Sequence, residues 1–205
     1  MAILEHTLGI MLRPNSEWKA IRGEEHSFKQ VFLSHVPFLA LIPCISFLIG
    51  VTQVGWTFGS GDPVKLTMLS AVQLCGVAYV ALLAGVFILG EFINWMSRTY
   101  GVEDSAEKRH YEGTALAVYV TTPVFLAGIF GLYPGLWLNV SAMGIAGAYA
   151  VYLIYEGLPV LMNISKDRAF MFASSIVTVG LVMMVIVIVS SVILWNMGLG
   201  PVYID

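Results

Sequence analysis

Apolar residues in this chain are grouped into four long tracts that contain no charged side chain. The tracts cover residues 30–61, 66–90, 113–155 and 169–204. A charge at the centre of a bilayer costs several kcal/mol, and a membrane-spanning helix needs about 20 mainly apolar residues. Each tract is long enough to cross a membrane, so the pattern predicts an integral membrane protein.

The third tract is too long for one crossing. As a single helix, residues 113–155 would measure about 64 Å at ~1.5 Å per residue, about twice the apolar thickness of a bilayer. Pro134 and Gly135 stand in its middle, flanked by Tyr133 and Trp137. A Pro-Gly pair favours a turn, and aromatic side chains are enriched at membrane interfaces. We therefore expect an all-α bundle of five transmembrane helices, at residues 31–52, 66–93, 113–133, 136–157 and 172–196.

The distribution of basic residues predicts the orientation. With the N-terminus inside, nine Lys and Arg residues are cytoplasmic and only Lys65 is external. Cytoplasmic loops of membrane proteins carry an excess of Lys and Arg. We therefore expect a multi-pass protein of the cytoplasmic (inner) membrane, with residues 1–30 inside, the helical domain at 31–198 and a short external tail at 199–205.

Composition argues against several classes of protein. The chain is 58% hydrophobic and 11% charged, whereas a soluble domain carries about 25% charged residues. A net charge of -3 provides no basic surface for nucleic acid. Nucleophile-elbow, zinc-protease, P-loop and dinucleotide motifs are missing from the sequence. We therefore predict that the protein is not an enzyme, has no cofactor and does not bind nucleic acid.

The segment before the first span has a weakly amphipathic pattern. Leu4, Leu8, Met11 and Leu12 share one helical face, away from Glu5 and His6. Such a helix is suited to lie on the inner leaflet. It is equally suited to pack against the cytoplasmic face of the bundle, and the sequence leaves both interpretations open.

Several polar residues are expected at the cytoplasmic end of the spans, and carboxylates flanked by apolar residues there need a partner. The residues are His35, Glu91, Glu112, Glu156 and the pair Asp167-Arg168. One interpretation is structural ion pairing, in which Arg168 meets Glu91 or Glu156. The other is a protonatable or cation site built from His35 and the three glutamates, although no metal-ligand spacing supports a metal site.

Small residues line one side of the fourth span. Ala142, Ala146 and Ala150 are spaced four apart, and such a line favours close helix contact within the bundle or between copies of the chain. Self-association through this helix is therefore a possible partner interaction.

Three stretches together resemble the Yip domain family (Ypt-interacting proteins), in its bacterial branch. They are Pro14-x-x-x-Trp18-x-x-Ile21, Tyr155-Glu156-Gly157-Leu158-Pro159, and Asp167-Arg168-Ala169-Phe170 followed by residues 173–180. The resemblance extends over residues 8–198 and implies five helices with a cytoplasmic N-terminus. It carries over no catalytic residue.

Eukaryotic members of that family bind Rab-type GTPases, and some are linked to membrane curvature. They use a long hydrophilic N-terminal region and an acidic motif that this sequence does not show, so we do not expect a GTPase partner. The resemblance favours a non-enzymatic protein that organises the membrane or binds a partner. The alternative is a small ion, proton or metal transporter that uses the cytoplasmic-side acidic cluster.

Overall fold

The computed structural model describes residues 2–24, 27–56 and 62–204, with side chains described from His6 onward. Two short helices precede five long ones. The helices are α1 (Ala2–Leu12), α2 (Pro14–Gly23), α3 (Phe28–Ile49), α4 (Met68–Ser97), α5 (Ala106–Ala127), α6 (Leu136–Leu161) and α7 (Lys166–Leu194). π-helical turns extend α3 through Gly50–Val54 and α7 through Trp195–Leu199, and a 3-10 turn extends α5 through Gly128–Leu132.

The five long helices confirm the predicted all-α membrane fold. Each of them is long and apolar enough to span a bilayer. The predicted turn in the third tract is also confirmed, because the 3-10 turn ends at Leu132 and α6 begins at Leu136. Pro134 and Gly135 lie between them, where neither has to supply a helix hydrogen bond.

Three helices begin earlier than the sequence predicts, and one of them is α3, which starts at Phe28 instead of residue 31. Helix α5 starts at Ala106 instead of residue 113, and α7 starts at Lys166 instead of residue 172. The sequence prediction starts each span after the last charged residue, whereas helix hydrogen bonding continues through charged turns. Ser105 caps α5, since its hydroxyl accepts a hydrogen bond from the Lys108 amide.

Helix α5 is the central helix of the bundle. It contacts α3, α4 and α6, while α7 packs outside against α4 and α6. Of the five spans α5 is the most buried and α7 the least. On α7, nearly every side chain from Leu181 to Val189 is exposed, as expected for a helix whose outer surface faces lipid.

Glycines allow the closest helix contacts around α5. A Cβ at Gly113 would lie 3.1 Å from the amide nitrogen of Asn94 and 3.1 Å from the carbonyl oxygen of Gly90 on α4. Small residues at such crossings let backbones approach and pack in a membrane, where lipid competes for apolar contact. The bundle is therefore tight where α4 crosses α5.

Candidate functional site

Helices α1 and α2 form an antiparallel hairpin that packs along the bundle at the end where α5 begins and α6 ends. Among the described residues, three side chains attach it through hydrogen bonds to backbone carbonyls. The Tyr111 hydroxyl donates to the Ile21 carbonyl at 2.9 Å, and Arg22 Nη1 donates to the Val160 carbonyl at 3.0 Å. The Tyr149 hydroxyl approaches the carbonyls of Ile10 and Met11 at 3.1 Å each. The hairpin is thus held by both α5 and α6.

The indole of Trp18 lies directly against the backbone of Gly157. A Cβ at Gly157 would come within 2.5 Å of the indole Cε2 and 2.7 Å of its Cζ2. Trp18 and Ile21 are both fully buried on the inner face of α2. Any side chain at position 157 would therefore displace Trp18 and lift α2 from the bundle.

The connection between α1 and α2 reaches far along the apolar part of the bundle. Tyr149, which contacts the end of α1, precedes Glu156 by seven residues, or about 10 Å of helix. Tyr119, whose ring lies 6.2 Å from that of Trp18, follows Glu112 by seven residues on α5. The hairpin therefore extends beyond Glu112 and Glu156 along the apolar parts of α5 and α6, with Arg13 at its turn.

The outer surface of α1 is apolar. Leu8 and Leu12 are 58% and 76% exposed, whereas Thr7 and Ile10 face inward and are buried. Arg13, at the turn of the hairpin, is exposed. Both sequence interpretations of this segment thus have a structural counterpart, since α1 packs on the bundle and also presents leucines outward. Leu4 and Glu5 lie outside the described side chains.

His6 joins α1 to both ends of α2. Its Nδ1 lies 2.5 Å from Glu17 Oε1 and its Nε2 lies 2.8 Å from Glu24 Oε1. The imidazole also packs edge-on against the Tyr119 ring, with centroids 5.9 Å apart. A short polar network is therefore enclosed between the hairpin and α5.

His35 lies on the far side of the same tyrosine. Its Nδ1 is 3.1 Å from the Val31 carbonyl, which makes Nδ1 the donor, and its Nε2 is 3.4 Å from the Tyr119 hydroxyl. The side chain is buried in α3. Tyr119 thus contacts His35 of α3 on one side and His6 of α1 on the other.

The three predicted glutamates have different surroundings. Glu91 is paired with His110, at 2.5 Å between Oε1 and Nε2, and His110 stacks on Phe28. Glu112 is completely buried, and neither carboxylate oxygen has a hydrogen-bond partner among the described residues; the nearest cation is Lys108 Nζ at 3.8 Å. Glu156 is half-buried, with no ion pair to any described residue.

The described residues do not bring these groups into one site. No three histidine, cysteine, aspartate or glutamate side chains in the described part of the chain are placed to hold a metal ion. Asp167 and Arg168 are exposed in the first turn of α7, and Arg168 lies beside Gly101. Within the described ranges no ion pair joins Arg168 to Glu91 or Glu156, so a joint site remains a prediction from sequence.

The small-residue line on α6 is only partly used within the chain. Ala146 is buried, whereas Ala142 and Ala150 are half-exposed. Part of this small-residue line therefore remains accessible for contact with a second copy of the chain, and self-association stays a prediction.

Comparison with known proteins identifies the family. The Yip1 domain matches residues 8–195. The chain is 35% identical over 195 residues to Inner membrane protein YohC of Escherichia coli strain K12, which covers 95% of this chain and 98% of that protein. Inner membrane protein YohC of Escherichia coli O6:H1 strain CFT073 matches with the same identity and coverage. No solved structure matches.

The chain belongs to the Yip1 domain family.

The matched region includes the hairpin as well as the five spans of the Yip1 domain. It begins at Leu8, on α1, and therefore contains Trp18, Ile21 and Gly157. Two of the three stretches that carry the resemblance, those around Trp18 and Gly157, form one contact in the structure. The Yip1 domain of this chain is thus a bundle with an inserted hairpin.

Sequence reasoning missed the network of His6, Glu17, Glu24 and Tyr119. Tyr119 is far from the other three residues in the chain, and the amphipathic pattern of α1 predicts only that His6 lies on its polar side. One local signal could have located the hairpin: Trp18 and Ile21 are three apart after Pro14 and so share one face of a short helix. A large buried Trp needs a complementary space, which Gly157 provides.

We predict that Gly157→Ala destabilises the Yip1 domain by about 1–3 kcal/mol, the usual range for overpacking a close contact. The added Cβ would overlap the Trp18 indole. The measurement is thermal unfolding of the purified protein in detergent micelles, which should show a lower Tm.

Gly147→Ala on the same helix is the matched control, because a Cβ at Gly147 meets nothing within 4 Å. Its Tm should equal or slightly exceed that of the unmodified protein. Equal Tm values for the two variants would show that Trp18 is not held against Gly157.

Proposed function

We propose that this protein is a non-enzymatic organiser of the inner membrane that acts through its α1–α2 hairpin. The support is the outward face of α1, where Leu8 and Leu12 are exposed at the depth of apolar residues in α5 and α6. Exposed apolar surface at this level is suited to acyl chains or to an apolar partner helix. The relatives described as inner membrane proteins support the same location.

The proposed orientation places the hairpin in the cytoplasmic leaflet. Six Lys and Arg residues lie at or beside the ends of the long helices on the side that carries α1 and α2, three more lie in the hairpin, and Lys65 lies on the other side. By the positive-inside preference, the N-terminus is cytoplasmic and the C-terminus external. Lipid is then the main partner, with a second copy of the chain as a further candidate along Ala142, Ala146 and Ala150.

The hairpin makes the bundle wider in one leaflet than in the other. On that side, α1 packs against α5 and α2 packs against α6, and among the described residues no equivalent helices add to the opposite half of the bundle. A protein that is wider in the cytoplasmic leaflet fits best in a membrane whose curvature expands that leaflet. The proposed activity is therefore to accumulate in, or to stabilise, membrane that is curved so that its cytoplasmic leaflet is expanded.

We predict that Leu8→Asp combined with Leu12→Asp reduces the preference of the protein for highly curved vesicles. An aspartate within a bilayer is disfavoured by up to about 3 kcal/mol, so the hairpin would withdraw from the acyl layer. The measurement is the density of fluorescently tagged protein on single phosphatidylethanolamine–phosphatidylglycerol vesicles of different diameters. Density of the unmodified protein should depend on diameter.

Ala20→Asp is the matched control, because Ala20 is exposed beside Lys19 on the polar face of α2. This variant should retain the diameter dependence. The proposal would be contradicted if the density of the unmodified protein did not depend on vesicle diameter. It would also be contradicted if the two aspartates left that dependence unchanged.

The alternative function, proton or cation transport, is favoured by one observation. Glu112 is fully buried on the central helix without a hydrogen-bond partner among the described residues. Buried carboxylates inside membrane proteins are often part of ion or proton pathways. Lys108 Nζ lies 3.8 Å from Glu112 Oε1, and a cation beside the carboxylate favours a proton over a metal ion as the group carried.

If the protein is a transporter, Glu112→Gln should abolish proton flux in proteoliposomes, because an amide cannot carry the proton. Glu103→Gln, at an exposed loop position, should leave the flux unchanged. The measurement is the rate of internal pH change after a potassium-valinomycin potential is imposed. Vesicles with unmodified protein that show no flux above empty vesicles would eliminate this alternative.

A further inference from the structure

The turn of the α1–α2 hairpin lies beside the middle of a membrane-spanning helix. Tyr149, whose hydroxyl bonds the carbonyls of Ile10 and Met11, stands halfway along α6, which extends over Leu136–Leu161. Arg13 follows Met11 by two residues, and its side chain is exposed. Because α6 is long and apolar enough to cross the bilayer, this arginine stands far from the end at which α6 leaves the membrane.

Arg13 forms no ion pair within the described ranges of the chain. Glu17, one helical turn further along α2, faces the opposite way: its carboxylate contacts His6, and a Cβ at Gly9 of α1 would overlap it. Arginine keeps its positive charge in proteins and carries five N–H donors. A charge at this level of a membrane protein needs a partner, which for Arg13 must come from outside the described residues.

A polar stripe continues from Arg13 along the outer face of α2. Asn15, Ser16 and Lys19 are exposed on this stripe, and Trp18 is fully buried on the opposite face of the helix. Residues three and four apart are neighbours on a helix surface, so the three polar side chains form one strip. Its charged members, Arg13 and Lys19, are both positive, and the strip leads from the hairpin turn toward the cytoplasmic end of the bundle.

The phosphate of a phospholipid has the chemistry and the location to satisfy this stripe. The planar guanidinium of arginine binds phosphate oxygens through two parallel hydrogen bonds. Long basic side chains keep their apolar stems against apolar surface while their charged ends reach polar groups. Leu12, next to Arg13 and 76% exposed, offers an apolar surface to the acyl chains of the same lipid.

We propose that the outer face of α2 is a phospholipid-binding site, in which Arg13 holds the lipid phosphate, Lys19 marks the cytoplasmic entrance and Leu12 contacts an acyl chain. A headgroup bound there lies deeper than its neighbours in the leaflet. The inference rests on the proposed function for the placement of the hairpin in the cytoplasmic leaflet, and it names the lipid group that the hairpin contacts there.

The test is native mass spectrometry of the full-length protein in dodecyl maltoside micelles, titrated with phosphatidylglycerol. The comparison lipid is diacylglycerol with the same acyl chains, which has no phosphate. The unmodified protein should bind phosphatidylglycerol about tenfold more tightly, because diacylglycerol offers no anion to Arg13. Glycerophosphoglycerol, the same headgroup without acyl chains, should not displace the lipid; displacement would indicate a site for soluble phosphate and would overturn the proposal.

Two variants assign the binding to the stripe. Arg13→Gln should lower the affinity for phosphatidylglycerol about tenfold, the loss expected when a charge-assisted pair is removed. Lys19→Gln should lower it less, because an ammonium group meets phosphate as a point charge and not as a fork. Both side chains are exposed, so both variants should keep the Tm of the unmodified protein.

Arg98→Gln is the matched control, since Arg98 is exposed at the cytoplasmic end of α4. This variant should retain the affinity of the unmodified protein. The proposal would be overturned if Arg13→Gln left the affinity unchanged, if Arg98→Gln lowered it equally, or if the two lipids bound equally well. Binding in micelles does not depend on vesicle diameter, so its failure is distinct from a failure of curvature sorting.

Discussion

The contact between Trp18 and Gly157 is the constraint on which the rest of the structure depends. It places the largest side chain of the N-terminal segment against bare helix backbone, at a point where α6 is still apolar on both sides of Glu156. With that contact formed, Ile21 is buried beside it, and the hydroxyls of Tyr111 and Tyr149 reach backbone carbonyls of the hairpin. Residues that could have been a surface segment thus become part of the bundle.

The membrane explains why such a contact is built from glycine and aromatic rings. Lipid is as apolar as leucine, so helices in a bilayer gain from close packing and from hydrogen bonds rather than from leaving water. Glycines at α4–α5 and at α2–α6 provide close packing, and tyrosine hydroxyls provide hydrogen bonds. Because Trp18 and Ile21 belong to the core, deletion of residues 1–30 would open the bundle, and point substitutions on the outer face are the better probe.

The spans were predictable because lipid imposes a simple rule on sequence. Long chargeless tracts locate the helices, and Pro134-Gly135 divides the longest tract. The hairpin was less predictable, since a short helix of mixed polarity can pack on protein or on lipid and its periodicity is the same in both cases. The polar network was not predictable at all: His6, Glu17 and Tyr119 meet only through tertiary structure. Conversely, the sequence predicts the same cytoplasmic depth for four polar residues that have separate surroundings in the bundle: His35, Glu91, Glu112 and Glu156.

The depth of the hairpin turn is the most direct test of this account. A nitroxide attached at a single cysteine in place of Leu12, with Cys44 and Cys75 replaced by alanine, reports its collision rates with oxygen and with a water-soluble nickel complex. In bilayers, oxygen collisions should dominate at position 12, while collisions with the nickel complex should dominate for the same label at Lys19. Equal access of the nickel complex to both positions would contradict it, because the hairpin would then lie in water.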